Sequence, residues 1–289
     1  MLTRSLARRD FASAAELLSL HGHSAINRRA PRAFTADAPV PLASACPGGE
    51  TSVVTPTGLG KFYRIRRSLA DVSEREAAIA GEYAAVLRGA RQRLREMEAH
   101  AALCHAADAR PEDLLFMDIE TCGLSGTMIF LVGLMYYAEE QLMFEQYLAR
   151  DYSEEAAILQ AFADRYASAG VLVTFNGKAF DMNLIRERSA FHAQELAYAD
   201  RRHLDLLHES RRRWRGQVPN CRLQTLEAHF CGRRRIGDIP SWAIPDAYHR
   251  FVSTGDAAEI RDILRHNLLD LLTMAQLLCL VLTNCDPAA

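Results

Sequence analysis

Residues 114 to 120 read Leu-Leu-Phe-Met-Asp-Ile-Glu, a short apolar run that ends in two acids. Pro111 and Gly123 bound this run, which is typical of a buried strand. Because side chains alternate across a strand, Asp118 and Glu120 are predicted to share one face, about 7 Å apart. Two carboxylates on one face of a core strand repel each other, and a divalent cation between them would relieve that repulsion. The triplet alone leaves open that the pair is solvated or caps the next turn.

The composition of the chain limits its class. With 289 residues, 49% hydrophobic and 24% charged, it is expected to form one large or two smaller globular domains. No uninterrupted apolar stretch reaches about 18 residues, so no membrane contact is expected. The seven cysteines lack C-x-x-C spacing, which favours reduced thiols and a cytoplasmic location over disulfides or zinc.

Three regions follow from the pattern of turns and apolar runs. The first is an N-terminal arm, partly helical or irregular; the second is an accessory region with a β-hairpin and a long helix; the third is the main domain. Their predicted limits are 1–44, 45–110 and 111–285. In the second region the hairpin strands are placed at 51–54 and 61–67, and the helix at 73–107.

The main domain is predicted to be α/β. Strands are expected at 114–118, 128–137, 141–147, 171–175 and 203–204, and helices at 153–167, 180–188, 206–214, 223–230 and 258–282. Three adjacent strands followed by alternating helices and strands indicate a mixed sheet flanked by helices.

Asp181 ends the run Thr-Phe-Asn-Gly-Lys-Ala-Phe-Asp that leaves the fourth of these strands. Asn-Gly is a turn signal, so Asp181 is predicted at a strand-to-helix junction, where open α/β sheets place ligands. The alternative is that Asp181 only caps the helix. Lys178, one of two lysines in a chain rich in arginine, suggests a point charge beside this position.

His266 and Asp270 lie four residues apart in the last predicted helix, and such residues share a face. A solvated surface pair is the alternative, but the flanking leucines favour burial. Asp205 follows another short strand. It could be a ligand, a partner for arginine or a cap, and a structural or supporting role, in which it orients a metal ligand, is favoured.

Four acids and one histidine are the groups that two-metal phosphodiester hydrolysis requires. Two Mg²⁺ or Mn²⁺ ions prefer carboxylate oxygens, and a histidine with a near-neutral pKa can take a proton from the attacking water.

Between residues 201 and 235 there are ten arginines and only three acids. Guanidinium groups suit phosphate, and an aromatic ring among them suits base stacking. The candidate nucleic-acid-binding residues here are Arg211, Arg212, Arg213, Trp214 and Arg215. An exposed basic helix with Trp214 buried beneath it is the alternative. Trp242, near two prolines, is predicted to lie in the core.

Three motifs carry a family resemblance: D-I-E-T-C-G-L from residue 118, F-N-G-K-A-F-D from residue 175 and H-N-L-L-D from residue 266. In this order they resemble the exonuclease motifs of DEDD 3′–5′ exonucleases, which have a ribonuclease H-like fold. The resemblance is closest to the YprB-like branch, in which a Gly-rich hairpin precedes the nuclease domain. It covers roughly residues 45–282.

The resemblance implies roles for the acids. Asp118 would bridge both metal ions, Glu120 and Asp270 would bind the ion of the catalytic water, and Asp181 would hold the second ion through water. His266 would orient or deprotonate that water. One departure concerns His266: three residues separate it from Asp270, the spacing of the tyrosine-type pattern, whereas the histidine-type has four.

Asn176 and Lys178, in the second motif, are expected to contact nucleic acid, either DNA or RNA. The predicted function is a metal-dependent nuclease, a 3′–5′ exonuclease on single strands. Two alternatives stay open: a nucleic-acid-binding module without turnover, and a hydrolase of another phosphoester such as a nucleotide.

Overall fold

The computed structural model describes residues 38–96, 101–123, 127–194 and 202–283. The predicted N-terminal arm, residues 1–44, lies outside the described residues except for its last few positions. Residues 39 to 289 belong to one compact unit. The division between 45–110 and 111–285 stays a prediction.

A seven-stranded mixed sheet organises this unit. Its strands are β1 Gly49–Thr55, β2 Gly58–Ser68, β3 Leu114–Thr121, β4 Ile129–Ala138, β5 Gln141–Leu148, β6 Val171–Thr174 and β7 Arg202–Asp205. The order across the sheet is β1-β2-β5-β4-β3-β6-β7. All pairs from β1 to β3 are antiparallel, and β3-β6 and β6-β7 are parallel. The predicted mixed α/β sheet is confirmed.

Helices flank the sheet. They are α1 Leu42–Ala45, α2 Leu69–Val72, α3 Ala78–Glu96, α4 Ala101–Ala107, α5 Glu155–Ala167, α6 Asp181–Phe191, α7 Leu206–Trp214, α8 Leu223–Leu226, α9 Ile244–Thr254 and α10 Ala258–Thr283. The core has two parts. Leu115, Met117 and Ile119 of β3 belong to the part that includes α5 and α9, and Leu114 and Phe116 belong to the part that includes α3 and the second half of α10. By this alternation Asp118 and Glu120 face the second part.

The predicted hairpin is present and extends the sheet, because β2 pairs with β5. Its turn is tighter than expected: Thr55 pairs with Gly58, so Pro56 and Thr57 alone make the turn. The predicted helix at 223–230 is instead α8 followed by a π-helical turn, Glu227–Cys231.

Helix α9 was not predicted, and the prediction for Trp242 was wrong. Trp242 lies in a 3₁₀ turn, Ser241–Ala243, with 81% of its surface exposed. The apolar anchor of this segment is Ile244, which is 1% exposed and begins α9.

Helix α10, the last helix of the described residues, is strongly apolar. Among the described residues it is long and apolar enough to cross a membrane by length and composition, although 78% of its most apolar window is buried within the fold. Burial of that extent is what the core helix of a globular unit shows, and α10 packs against α3, β3 and β4.

Candidate active site

The carboxyl ends of the parallel strands β3, β6 and β7 meet at one edge of the sheet, and each carries an acid. Asp118 and Glu120 lie in the C-terminal half of β3, Asp181 follows β6, and Asp205 ends β7. Open α/β sheets place ligands at this edge.

Asp118 is held by α10. Asn267 donates from Nδ2 to Asp118 Oδ2 at 2.9 Å and to its carbonyl at 3.2 Å, and accepts from Gln146 Nε2 at 2.8 Å. Gly133 of β4 pairs with Asp118 across the sheet, and a Cβ at this position would lie 1.9 Å from Asn267 Oδ1. Only glycine therefore leaves room for the amide that fixes Asp118.

Asp181 begins α6, and the backbone of Asp181 and of Ile119 on β3 lowers the pKa of its carboxylate against the larger effect of burial. The turn before it is set by Asp205, which accepts from the N–H groups of Asn176 at 2.8 Å, Lys178 at 3.1 Å and Leu207 at 3.0 Å. Asp205 is 2% exposed, and it shapes the turn and caps α7, which is one of the roles stated from the sequence. Its supporting role toward a metal ligand stays a prediction. The side chains of Asn176 and Lys178 are exposed beside Asp181.

His266 and Asp270 share a face of α10, with His266 Nε2 at 3.5 Å from Asp270 Oδ2. His266 Nδ1 lies 2.9 Å from Asp238 Oδ2. The other Asp270 oxygen, Oδ1, accepts from Arg235 Nη2 at 2.5 Å. The pair is therefore part of the core, and the alternative of a solvated surface pair does not hold, because His266 is 3% exposed.

Burial raises the pKa values of the four carboxylates, and neighbouring acids add to the rise at Asp118 and Glu120. Burial raises the pKa of Asp118 well above its usual range, and the charges of Asp270, Glu120 and Asp181 raise it further. Burial raises the pKa of Glu120 to about 8, with Asp270 and Asp181 adding to the rise and His266 opposing it. Burial likewise raises the pKa of Asp181 to about 7. The predicted acids thus lie in one cluster that disfavours four negative charges.

Cation binding would remove that penalty, and the donor set of four carboxylates suits hard divalent ions such as Mg²⁺ and Mn²⁺. In the part of the chain that the structure describes, no three His, Cys, Asp or Glu side chains close around a single ion position. Arg235 supplies part of the compensating charge at Asp270.

Residues 115–281 match the model of the RNase H superfamily, which covers more than half of the chain. The chain belongs to the RNase H superfamily. The uncharacterized protein YprB of Bacillus subtilis (strain 168) is 32% identical over 184 residues, or 61% of this chain and 44% of YprB. The chain therefore spans less than half the length of that relative. The resemblance to YprB-like, RNase H-like proteins is confirmed.

A family B DNA polymerase from the hyperthermophilic archaeon Pyrobaculum calidifontis aligns with a TM-score of 0.46 at 16% identity. The alignment covers 57% of this chain and 24% of the polymerase. Similarity at this level carries no conclusion about fold or function.

Helix α7 places the basic residues of this RNase H-like chain on two faces. His208, Arg211, Arg212 and Arg215 line an open cleft of about 320 Å³. Their spacing of three and four residues is that of one helical face. Arg212 also pairs with Glu209, and Arg213 is half-buried and does not line the cleft. Three of the four arginines predicted to bind nucleic acid therefore line the same cleft.

Trp214 does not fit the base-stacking role predicted for it. It is 4% exposed, and its ring lies on Phe230 with centroids 4.4 Å apart. The alternative stated from the sequence, a tryptophan buried beneath a basic helix, is what the structure shows. The reason is that Trp214 packs into the same core as α10.

The RNase H-like site also uses residues that the sequence did not single out. Arg235 and Asp238 touch Asp270 and His266, and Glu227 accepts from both Arg235 Nε at 2.6 Å and Arg233 Nη1 at 2.9 Å. These two arginines had been counted with the phosphate-binding stretch, but their side chains are only 5% and 13% exposed. The sequence signal for Arg235 and Asp238 is the compact run Arg-Arg-Arg-Ile-Gly-Asp at 233–238, in which one acid follows three cations within six residues.

Proposed function

We propose that this chain is a metal-dependent nuclease that hydrolyses phosphodiester bonds in single-stranded nucleic acid, working from the 3′ end. The observation that carries the proposal is the cluster of Asp118, Glu120, Asp181 and Asp270, in which burial and the charges of Asp270 and Asp181 raise the pKa values of Asp118 and Glu120 beside His266. Membership of the RNase H superfamily supports the choice of reaction.

Two Mg²⁺ or Mn²⁺ ions, when bound, would stabilise the attacking and leaving oxygens of an in-line displacement. Asp118, Glu120, Asp181 and Asp270 are the residues that would hold them. His266 Nε2 faces the cluster and would take a proton from the attacking water. The hydroxide oxygen then bonds to phosphorus, the bond to the 3′ oxygen breaks, and that oxygen gains a proton from solvent.

The substrate would approach along the basic cleft of α7. His208, Arg211 and Arg215 offer donors for backbone phosphates, and Asp205 joins the start of this helix to the turn that holds Asn176 and Lys178. Phosphate contacts of this kind fix position without reading sequence, so both DNA and RNA are substrates to be tested.

The experiment is cleavage of 5′-labelled single-stranded DNA and RNA in the presence of Mg²⁺ or Mn²⁺. The wild type is expected to shorten the labelled strand stepwise from its 3′ end and to leave circular strands uncut. Asp118→Asn is expected to lose cleavage but keep its fold. Asp246→Asn, at an exposed acid in the first turn of α9, is the matched control and is expected to cleave like the wild type. A wild type inactive on both polymers, or an active Asp118→Asn, contradicts the proposal.

A second candidate is a nucleic-acid-binding module without turnover. The ion pair between Arg235 and Asp270 favours it, because one predicted ligand already has a cation at 2.5 Å. Salt-sensitive oligonucleotide binding with no product under either metal ion would select this candidate. A third candidate, hydrolysis of another phosphoester, would be selected by turnover of free nucleotides but not of oligonucleotides.

The cellular compartment is also a proposal. All six cysteines in the described residues are free thiols. Free thiols are typical of a reducing compartment, so we place the protein in the cytoplasm. Fractionation of cells that express the chain tests this placement.

A further inference from the structure

Asp238 is the acid that the proposed mechanism leaves without a role. Its Oδ2 lies 2.9 Å from His266 Nδ1 and 3.4 Å from Arg235 Nη1. Its side chain is 12% exposed, and Oδ1 is buried with no hydrogen-bond partner among the described residues. A largely covered carboxylate with one oxygen in contact with an imidazole nitrogen is placed to orient that imidazole.

We propose that Asp238 is a positioning residue that holds His266 with its proton on Nδ1, so that the lone pair of Nε2 faces the carboxylate cluster. This inference rests on the proposed function. The 2.9 Å contact on Nδ1 is shorter than the 3.5 Å contact between Nε2 and Asp270 Oδ2, so Asp238 is the partner that fixes the tautomer.

The segment that carries Asp238 is fixed at several points. Arg233 bonds to Glu76 at 2.6 Å and to Gln276 at 2.8 Å, and Arg235 bonds to Glu227 and Asp270. On the other side of Asp238, Ile239 is 9% exposed and belongs to the core. Asp238 therefore stands on a fixed backbone, as a residue that orients another must.

This arrangement explains how His266 functions at its unusual spacing. With three residues between them, His266 and Asp270 lie one turn apart on α10, and the position of the ring is then set by its partner on Nδ1. A carboxylate in that place keeps the imidazole in one tautomer and stabilises it once it accepts the proton of the attacking water.

The test combines a spectroscopic and a kinetic readout on the full chain. Nitrogen-15 NMR of labelled histidine, with Mg²⁺ present and at a pH where the imidazole is neutral, is expected to show His266 as the Nδ1–H tautomer. His266→Gln assigns the signal. Asp238→Asn is expected to lower kcat about 10–100-fold, the range for residues that orient a group in contact with the reacting atoms, with KM and Mg²⁺ affinity unchanged. Asp246→Asn again serves as control.

The double variant Asp238→Asn with His266→Ala is expected to be no slower than His266→Ala alone, because the two residues act as a unit. An Nε2–H tautomer in the wild type overturns the proposal, and so does a kcat that Asp238→Asn leaves unchanged. A wild type that cleaves nothing defeats the proposed function, while the tautomer measurement still decides the role of Asp238 and needs no variant of that residue.

Discussion

The absence of a side chain at Gly133 makes room for Asn267, which donates to Asp118. A Cβ on Gly133 would overlap Asn267 Oδ1, and that amide links Asp118 on β3 to Gln146 on β5. The close approach of α10 to the sheet at this point brings His266 and Asp270 to the acids of β3. Residue size at a single strand position therefore decides whether the cluster can assemble.

Gly133→Ala is expected to destabilise the protein by about 1–3 kcal/mol, the usual effect of overpacking a close contact. Urea denaturation measures the change. Gly49→Ala is the matched control, because Gly49 is also in a strand and a Cβ there meets nothing within 4 Å. Equal stability of the two variants would contradict the role given to Gly133.

The raised pKa values of Glu120, about 8, and Asp181, about 7, predict a pH dependence of stability. In the unfolded chain these groups titrate near 4.5 and 3.8, so the folded state binds more protons between about pH 4 and pH 8. The free energy of unfolding, measured in EDTA, is expected to fall as pH rises through this window. Added Mg²⁺ is expected to reverse the fall, since it favours the ionised carboxylates. Stability that rises with pH in EDTA would contradict these shifts.

Helix α7 has an inner face that packs in the core and an outer face that is basic. Its inner face packs Trp214 onto Phe230, and its outer face lines the basic cleft with Arg211, Arg212 and Arg215. Asp205 caps the helix and also fixes the turn next to Asp181. The cleft and the carboxylate cluster are thus joined through one buried side chain.

The double variant Arg211→Gln with Arg215→Gln is expected to weaken oligonucleotide binding and to reduce the salt dependence of that binding. The slope of log Kd against log salt should decrease by about 1.4, since each phosphate contact with a single strand contributes about 0.7. Fluorescence anisotropy at several salt concentrations measures the slope. Arg261→Gln, an exposed arginine at the start of α10, is expected to change nothing. An unchanged slope in the double variant would exclude the cleft as the phosphate-binding surface.

A chain of ion pairs centred on the buried Glu227 joins segments that are distant in sequence. It runs from Glu76, between the hairpin and α3, through Arg233, Glu227 and Arg235 to Asp270 on the last helix. Glu227 is 1% exposed and sits in the π-helical turn, and Arg233 and Arg235 each pair with one of its oxygens, so its buried charge is compensated. Glu76, which precedes α3, is therefore linked through one electrostatic network to Asp270.

Much of the fold and of the carboxylate cluster could be predicted from the sequence, because these residues lie on or next to regular strands and helices. Strand alternation paired Asp118 with Glu120, helical spacing paired His266 with Asp270, and an Asn-Gly turn placed Asp181. Periodicity has no counterpart in the irregular segment from 227 to 243, so the partners Arg235 and Asp238 were missed.

Two further features were beyond prediction for other reasons. The environment predicted for Trp242 was wrong and that of Trp214 was left open between two alternatives, because composition around a residue does not say which side of an element meets the core. Gly133 lies inside an apolar strand, where nothing in the sequence marks a close approach by a helix that begins more than 100 residues later.

The most direct test of the central claim is a crystal structure of the protein soaked with Mn²⁺, with the ions located by anomalous scattering. Two Mn²⁺ peaks are expected among the carboxylates of Asp118, Glu120, Asp181 and Asp270, with Arg235 withdrawn from the Asp270 oxygen that it now contacts. A soaked crystal with no Mn²⁺ peak at these acids, and with the Arg235–Asp270 pair intact, is the opposite result. It would contradict the assignment of this cluster as a two-metal active site.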